Sequence, residues 1–273
     1  MRRPQRSLAV NLLFAAGALL TLTPLVWMLA ASFMPAGEAS SYPPHFLPSR
    51  PTLEHYRALF TRLDVGRYFL NSTAIAGSVT LVSLFCNSMA GYALAKLRFR
   101  GRRRLGTLLL AGMVVPPQVA MLPLFLLMRE LGLVNSYLGV GLPTFAGILS
   151  IFLVRQYVAA LPDELLDAAR VDGASELRIY WSIVLPLARP ILATLATFTF
   201  LNIWNDFLWP LVVLTDAEMH TLPVALASLA GEHAQDTELM MAGSVVTVLP
   251  VLVLFLLLQR HYIEGVTAGS VKG

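Results

Sequence analysis

Long apolar runs separated by short polar segments dominate this chain of 273 residues. A hydrocarbon core about 30 Å thick requires roughly 20 apolar residues in a helix, which also satisfies the backbone polar groups internally. Six runs reach or approach that length, and the only charged residue inside any of them is Asp206, in the fifth. The predicted spans are residues 8–33, 68–94, 105–128, 136–154, 190–214 and 239–258.

The composition agrees with a membrane protein. Asp, Glu, Lys and Arg make up 13% of the chain, about half the share that covers the surface of an ordinary soluble domain. Cys86 is the single cysteine, so no disulfide can form within the chain. We therefore predict one all-α integral membrane domain over residues 1–273 and exclude a soluble enzyme.

The basic residues orient the spans. With the N-terminus in the cytoplasm, 15 of the 20 Lys and Arg residues fall in cytoplasmic segments, as the positive-inside rule requires. Both termini are therefore predicted to be cytoplasmic, and the run Arg98–Arg104 is interpreted as a topology determinant and a contact for anionic lipids. A cleaved signal peptide is the alternative for the first span. Its charge-free run is about twice the 7–15 residues of a signal core, so we predict a retained helix.

The cytoplasmic segment between spans four and five, residues 159–189, carries the most specific pattern. Pro162 suits the first position of a helix, and Asp163 and Glu164 place negative charge in its first turn, which the helix dipole favours. Gly173 stands where a helix end favours a positive φ, so a short amphipathic helix is predicted before it. Helical spacing places four residues on one face of that helix: Leu165, Ala168, Ala169 and Asp172.

A second short helix is predicted to follow. Ser175 can cap it, and Glu176 lies in its first turn. Pro186 is predicted to end it, because proline does not continue the helical hydrogen bonds. Its predicted apolar stripe consists of Leu177, Tyr180, Trp181, Val184 and Leu185. The pair of helices presents small residues that would let another backbone come close, namely Ala168, Ala169, Gly173 and Ala174.

Helical periodicity alone also fits a helix that lies on the lipid surface. The spacing of the whole segment favours another interpretation, because it resembles the cytoplasmic EAA loop of the permease subunits of binding-protein-dependent ABC importers. The matching positions are Asp167, Ala168, Ala169, Gly173, Ile183, Leu185 and Pro186. Asp167 replaces the glutamate of that pattern, which keeps the charge on a shorter side chain.

Further stretches resemble the maltose and carbohydrate-uptake branch of that family. They are Val115-Pro116-Pro117-Gln118, Asn205-Asp206-Phe207-Leu208-Trp209-Pro210, Thr221-Leu222-Pro223-Val224 and Gln259-Arg260-His261-Tyr262-Ile263-Glu264-Gly265. The resemblance thus extends from about span two to the C-terminus.

The resemblance implies a permease subunit in a bacterial inner membrane, importing a sugar, an oligosaccharide or a related polyol phosphate. It implies a heterodimer with a second, homologous permease subunit, two cytoplasmic ATPase subunits, and an extracytoplasmic solute-binding protein facing residues 34–67 and 215–238. Coupling to the ATPase is implied for Asp167, Ala168, Ala169 and Gly173, and is extended to Glu164 and Asp172.

The residues themselves carry no sign of catalysis. Lys96 and Lys272 are the only lysines, and neither lies in the Gly-x4-Gly-Lys-Ser/Thr motif that cradles phosphates. ATP hydrolysis is therefore expected on partner subunits, and no cofactor or nucleic acid is expected. The five histidines lack metal-ligand spacing, so no metal site is expected either: His45, His55, His220, His233 and His261.

Two stretches within spans are candidates for the solute path. A carboxylate inside a span, such as Asp206, indicates function, yet Trp204 and Trp209 flank it as an interfacial belt would. Pro116-Pro117 is predicted to kink span three. A role in the solute path and a role in packing both stay open for Pro116, Pro117, Asn205 and Asp206.

Two other classes of protein compete with this interpretation. An ion-coupled secondary transporter would need more intramembrane ionisable groups and usually an internal repeat, and neither is evident. A membrane scaffold without transport would leave the spacing of the cytoplasmic segment unexplained.

Overall fold

The computed structural model describes residues 3–43, 45–232 and 236–270, and His233 and Lys272 lie outside them. Within these residues all regular structure is helical, without a strand. The α-helices are α1 (Arg3–Ala31), α2 (Glu54–Thr61), α3 (Val65–Lys96), α4 (Arg102–Gly112), α5 (Pro117–Glu130), α6 (Tyr137–Gly141), α7 (Ile148–Ala159), α8 (Asp163–Val171), α9 (Glu176–Ile179), α10 (Leu185–Leu187), α11 (Arg189–Trp204), α12 (Leu208–Val213), α13 (Leu222–Glu232) and α14 (Thr237–Ser270).

Two compact units make up the chain. The first comprises Met1–Arg67 and Ala225–Pro250, and the second comprises Tyr68–Val224 and Val251–Gly273. The second unit contains the segment that resembles the EAA loop.

Three continuous helices are long and apolar enough to cross a membrane, namely Val10–Ala31, Val65–Lys96 and Thr237–Leu257. They correspond to predicted spans one, two and six. No residue in the most apolar stretch of the first is buried, and large side chains such as Leu13 and Leu20 are exposed. A helix that is apolar all round in this way suits contact with lipid.

The third and fourth predicted spans are broken rather than continuous. Arg102–Gly112 and Pro117–Glu130 meet at 107°, which confirms the kink predicted at the paired prolines, because proline removes a helical N–H. Tyr137–Thr144 and Ile148–Ala159 meet at 45°. The chain leaves the helical region between them at Gly147, where ψ is 113°.

The fifth predicted span, residues 190–214, is also broken. α11 has 16 residues, or about 24 Å at about 1.5 Å per residue, which is short of a core about 30 Å thick. The chain breaks at residues 205–207 before α12, and Glu176–Leu187 meets Arg189–Trp204 at 79°. If each bent pair is one span, length and composition allow up to six spans in the described residues.

The two segments predicted to lie outside the cell also contain helices. Residues 34–67 contain α2, Glu54–Thr61. Residues 215–238, predicted as a loop, instead hold a 3-10 turn at Ala217–Met219 and the helix α13. α13 has 11 residues, too few for a span, so hydropathy did not reveal it. Its first backbone N–H, that of Leu222, donates to Ser72 Oγ at 2.7 Å.

Polar contacts hold the first unit together around the start of α14. Glu238 is fully buried, and its Oε1 accepts a hydrogen bond from Ala39 N at 2.7 Å. The buried His55 donates from Nε2 to Met34 O at 2.9 Å. These contacts order the segment that precedes α2.

Close helix packing in the second unit depends on glycine. A Cβ added at Gly91 of α3 would lie 2.6 Å from Val154 Cγ1 and 3.0 Å from Arg155 N, both on α7. Real Cβ atoms do not approach so closely, so α3 and α7 can pack at this distance only with glycine here.

Candidate functional sites

The end of α8 is closed by a Schellman motif. The backbone N–H of Ala174 donates to Ala169 O at 2.9 Å, and that of Gly173 donates to Arg170 O at 3.0 Å. Gly173 has a φ of +80°, which glycine adopts without the steric cost of a Cβ. This confirms the helix end predicted at Gly173.

The start of each short helix also follows its sequence. Asp163 and Glu164 lie in the first turn of α8, although Pro162 is the capping residue rather than the first helical one. Ser175 Oγ accepts from Arg178 N at 3.3 Å at the start of α9, which confirms the predicted cap.

The predicted stop at Pro186 is wrong. The helix continues from α9 through a π-helical turn, Tyr180–Val184, into α10 and ends only at Ala188. Proline in an α-helix clashes with the carbonyl four residues earlier. The wider π turn immediately before Pro186 changes that geometry, so the helix accommodates the ring. We call residues 163–187 the helix-turn-helix segment.

One face of the helix-turn-helix segment packs against the second unit. Leu166 and Ile179 are 1% and 0% exposed, whereas Leu165 and Leu177 of the predicted faces are exposed. The buried cluster joins the segment to α3, α7 and α11 through Tyr92, Val154, Val158, Leu166, Ile179, Tyr180, Val184 and Leu195. The ends of several membrane helices therefore share a core with the segment.

Arg170 fixes the two short helices to each other. Its Nε donates to Glu176 Oε1 at 2.8 Å, and its Nη1 donates to Asp167 Oδ1 at 2.7 Å. The pKa of Arg170 is raised, chiefly by the hydrogen bond with Glu176 and then by that with Asp167. Asp167 and Arg170 both lie on α8, so the contact that crosses to α9 is the one with Glu176, and Asp167 orients the planar guanidinium for it.

Glu176 also connects the segment to the end of α3. The Tyr92 hydroxyl donates to Glu176 Oε2 at 2.5 Å. Deeper in the same cluster, the hydroxyls of Tyr180 and Ser88 are 2.7 Å apart. Both contacts join the segment to α3, one through a carboxylate and one between neutral groups.

Lys96, in the last turn of α3, binds the beginning of the segment. Its Nζ donates to Leu161 O and to Asp163 Oδ1, each at 2.6 Å. The ammonium group holds the pKa of Asp163 below its usual value, through the hydrogen bond first and the Coulomb attraction second. Lys96 therefore binds both a backbone carbonyl that precedes α8 and the first residue of α8, and so holds the end of α3 beside the start of α8.

The residues carried over from the EAA resemblance lie mainly on the opposite, exposed face. Glu164, Asp167, Ala168, Asp172 and Gly173 are exposed, and Ala169 is half-buried against the core. Apolar side chains share this exposure: Val171 is 88% exposed, Leu177 57% and Leu165 48%. The segment thus has one side in the core, and its other, partly apolar side is not covered by any element in the described part of the chain.

Sequence reasoning missed the contacts of Glu176 with Arg170 and Tyr92, and the separate contact of Lys96 with Asp163. A signal was present in α3, where Tyr92 and Lys96 are spaced i, i+4 in the last turns of an otherwise apolar helix. The Arg170–Glu176 pair, six residues apart across a glycine turn, had no such signal.

A cavity of about 620 Å³ lies within the second unit. Its lining includes neutral hydrogen-bonding side chains and an indole, among them Gln118, Thr199, Asn202 and Trp209. Asp206 is the only carboxylate among the described lining residues.

The structure separates the four candidate solute-path residues. Pro117 and Asp206 line the cavity, whereas Pro116 and Asn205 do not. Asn205 is exposed and donates from Nδ2 to Leu201 O at 2.8 Å. Asp206 Oδ1 also accepts from Trp209 N at 3.5 Å, so Asp206 both faces the cavity and contacts the start of α12.

The described residues hold three continuous apolar helices long enough to cross a membrane and further broken ones. They also hold a mainly apolar cavity with several hydrogen-bonding side chains and a helix-turn-helix segment that shares a core with the ends of those helices. Together these features define a membrane permease component. The family described as binding-protein-dependent transport system inner membrane component matches residues 87–266. The chain belongs to this family and is an inner-membrane component of a transport system.

The chain is similar to known proteins over almost its whole length. The arabinooligosaccharides transport system permease protein AraQ of Halalkalibacterium halodurans is 43% identical over 265 residues, covering 95% of this chain and 94% of that protein. The melibiose/raffinose/stachyose import permease protein MelC of Bacillus subtilis is 33% identical, with coverage of 97% and 96%. A chain in the crystal structure of a bacterial ABC transporter that imports the acidic polysaccharide alginate superposes with a TM-score of 0.83 at 28% identity, covering 95% and 98%.

Proposed function

We propose that this chain is a permease subunit of an ATP-driven importer for a sugar or oligosaccharide in a bacterial inner membrane. Relatives named for oligosaccharides align over nearly the full length of the chain. Neutral amides and hydroxyls around the cavity suit a polyhydroxylated solute, because each can donate or accept a hydrogen bond. The chain carries no phosphate-binding lysine motif, so ATP hydrolysis belongs to partner subunits.

The observation that carries the proposal is the exposed side of the helix-turn-helix segment, which no described element covers. Val171, Leu165 and Leu177 are exposed apolar side chains of this segment, within a few residues of Asp167 and Gly173. Exposed apolar patches bordered by polar residues are typical of protein interfaces. The face docks on a cytoplasmic ATPase subunit, and the cytoplasmic position follows from the distribution of Lys and Arg.

The inner face supplies the route from the ATPase to the membrane helices. Arg170 holds α8 and α9 at a fixed angle, so a push on Asp167–Gly173 moves the segment as one body. Tyr92 and Lys96 pass that movement to α3, and the shared core passes it to α7 and α11. ATP-driven closure of the ATPases thereby switches the spans between inward-facing and outward-facing states.

The assembly contains this chain, a second and homologous permease subunit, two cytoplasmic ATPase subunits and an extracytoplasmic solute-binding protein. Both termini of the chain are cytoplasmic. Residues 34–67 and 215–238 face the binding protein, and the cavity beside Asp206 forms part of the solute path between the two permease subunits.

Val171→Asp in the complete transporter tests the docking. Because Val171 is 88% exposed, the change leaves the core intact and places a charge in the proposed interface. We expect the ATPase subunits to be lost on co-purification, together with sugar uptake.

Leu53→Asp is the matched control, since Leu53 is 66% exposed but lies in the segment assigned to the other side of the membrane. It should retain the ATPase subunits. Retention of the ATPases and full uptake in Val171→Asp would refute the docking, and sugar transport by the chain alone would refute the whole assignment.

A further inference from the structure

A second cavity, of about 1200 Å³, lies beside the N-terminal end of α4. Its volume exceeds the roughly 300–1,000 Å³ of pockets that hold drug-sized ligands. Four arginines line it, Arg102, Arg103, Arg104 and Arg155. Apolar side chains complete the lining, including Leu108, Leu110 and Phe152.

The positive charge of this cavity is not neutralised within the described part of the chain. Arg102 is engaged with its own backbone, since its Nη1 and Nη2 donate to Leu97 O at 3.0 Å and Ala95 O at 2.8 Å. The Arg155 guanidinium lies 5.5 Å from the centre of the Phe152 ring. Arg103 and Arg104 form no ion pair with a described residue, and no described residue of the lining is acidic.

The backbone at the start of α4 adds to the positive charge of the cavity. α4 has 11 residues and starts after Gly101, whose φ is +86° and which has no side chain to cap the first turn. Of the first-turn N–H groups, that of Arg102 donates to Phe99 O at 3.5 Å. Unsatisfied N–H groups at a helix start attract anions. Arg103 and Arg104 belong to this same first turn, so their guanidinium charges add to the positive end of the helix dipole.

We infer that this cavity binds an anionic glycerophospholipid. Its phosphate lies at Arg103 and Arg104, because guanidinium groups bind phosphate with two parallel hydrogen bonds. An acyl chain lies along Leu108, Leu110 and Phe152, a surface that a soluble anion does not require. The basic run predicts that this end of α4 faces the cytoplasmic leaflet, which is rich in anionic lipid.

A photoactivatable phosphatidylglycerol with a diazirine in its acyl chain tests the inference. The complete transporter in phosphatidylcholine nanodiscs is labelled, and the modified residues are mapped by mass spectrometry. We expect label within residues 105–111 and at Phe152. Unlabelled phosphatidylglycerol should displace it, whereas phosphatidylcholine or inorganic phosphate should not.

Two double variants that remove the same charge distinguish binding of the lipid in the cavity from general attraction of anionic lipid to the basic run. The double variant Arg103→Gln/Arg104→Gln should weaken phosphatidylglycerol binding about 25-fold, at about five-fold for each arginine. Arg98→Gln/Arg100→Gln removes the same charge from exposed residues of the same run that do not line the cavity, and should have a much smaller effect.

Three results would overturn the lipid site. The first is an equal loss of binding in both double variants, which would indicate only the general field of the basic run. The second is competition by inorganic phosphate, which would indicate an anion site without a role for the acyl chain. The third is label outside the cavity, which would place the lipid elsewhere. Label on the second permease subunit beside these positions would also count against the site, because it would indicate that a protein covers this surface.

Discussion

The hydroxyl of Tyr92 donates a 2.5 Å hydrogen bond to Oε2 of Glu176, joining the end of the membrane helix α3 to the helix-turn-helix segment. The same carboxylate accepts from Arg170 through its other oxygen, and Arg170 also binds Asp167. A continuous chain of charged hydrogen bonds thus connects the exposed face that we assign to the ATPase with a helix that can cross the membrane.

Removing the Tyr92 hydroxyl should uncouple ATP hydrolysis from transport. Tyr92→Phe keeps the ring in the core but deletes a hydrogen bond to a charged group, which is worth about 1.5–3 kcal/mol. We expect the ratio of sugar imported to ATP hydrolysed to fall in proteoliposomes, while ATPase activity continues. Tyr180→Phe is the control, because it removes only a neutral contact with Ser88. An equal fall of the ratio in both variants would contradict the proposed route.

Substitutions of Gly173 should disturb docking on the ATPase subunit more than they disturb the fold of the permease. A Cβ at this position meets no described atom within 4 Å, but φ is +80°, which costs an ordinary residue about 1–2 kcal/mol. Gly173→Leu should lower stability by about that amount and abolish uptake with ATPase activity retained.

Gly173→Asn separates the two effects, since asparagine tolerates this backbone conformation. We expect near-normal thermal stability in detergent together with reduced uptake, because the side chain still obstructs a close approach. Wild-type uptake by Gly173→Leu would exclude a coupling role for this residue.

Several features of the structure follow from local rules and could be predicted from the sequence. The bilayer thickness dictates the length of the apolar runs, so the regions of the spans could be predicted. Gly173 and Ser175 follow from the chemistry of helix ends. Their effects act within one turn of helix and need no knowledge of distant residues.

Tertiary contacts and local helix irregularities could not be predicted in this way. Arg170, Glu176 and Tyr92 meet only because the core places α3 beside the segment. The π turn before Pro186 and the break at residues 205–207 depend on small changes in backbone geometry, and hydropathy does not record these. The sequence therefore indicated the exposed residues that we propose for coupling, and it missed the contacts that connect the helix-turn-helix segment to α3.

Because of the Asp163–Lys96 ion pair, the stability of the fold should depend on pH in the acid range. The ammonium lowers the pKa of Asp163 in the folded protein, so the pair stabilises the fold above the unfolded pKa, about 3.9. That contribution is lost as the pH falls through the folded pKa. Asp163→Asn should reduce thermal stability near neutral pH, and its difference from the wild type should shrink as the pH falls below about 3.9, the unfolded pKa.

Asp172→Asn controls for a general effect of charge, because Asp172 is exposed and forms no ion pair with a described residue. Thermal unfolding in detergent between about pH 3 and 7 compares the three proteins. A similar pH-dependent loss in Asp172→Asn would argue against a specific role for the Lys96 contact.

Asp206→Asn should distinguish solute contact from packing. Asparagine keeps the Oδ1 acceptor for Trp209 N but removes the charge from the cavity. If the carboxylate binds sugar hydroxyls, KM for uptake should rise about ten-fold, as expected for the loss of a charged hydrogen bond, with little change in stability. Asn205→Leu, next to Asp206 but outside the cavity, should leave KM unchanged. An unaltered KM in Asp206→Asn would leave the packing role as the explanation.

The close contact of α3 with α7 makes Gly91 a test of the route into the membrane. A Cβ there would lie 2.6 Å from Val154 Cγ1, 2.7 Å from Val154 Cβ and 3.0 Å from Arg155 N. Gly91→Ala should therefore destabilise the permease by about 1–3 kcal/mol. Val154→Ala as a second change should restore only part of this, because it removes Cγ1 but leaves Cβ and the backbone.

Gly77 supplies the control on the same helix, since a Cβ there meets no described atom within 4 Å. Gly77→Ala should be neutral or stabilise α3 by up to about 1 kcal/mol, the usual gain for this exchange within a helix. Thermal unfolding of the purified transporter ranks the variants. Equal effects at Gly91 and Gly77 would mean that α3 and α7 are not in close contact, and the shared core could not then carry movement from the helix-turn-helix segment to α7.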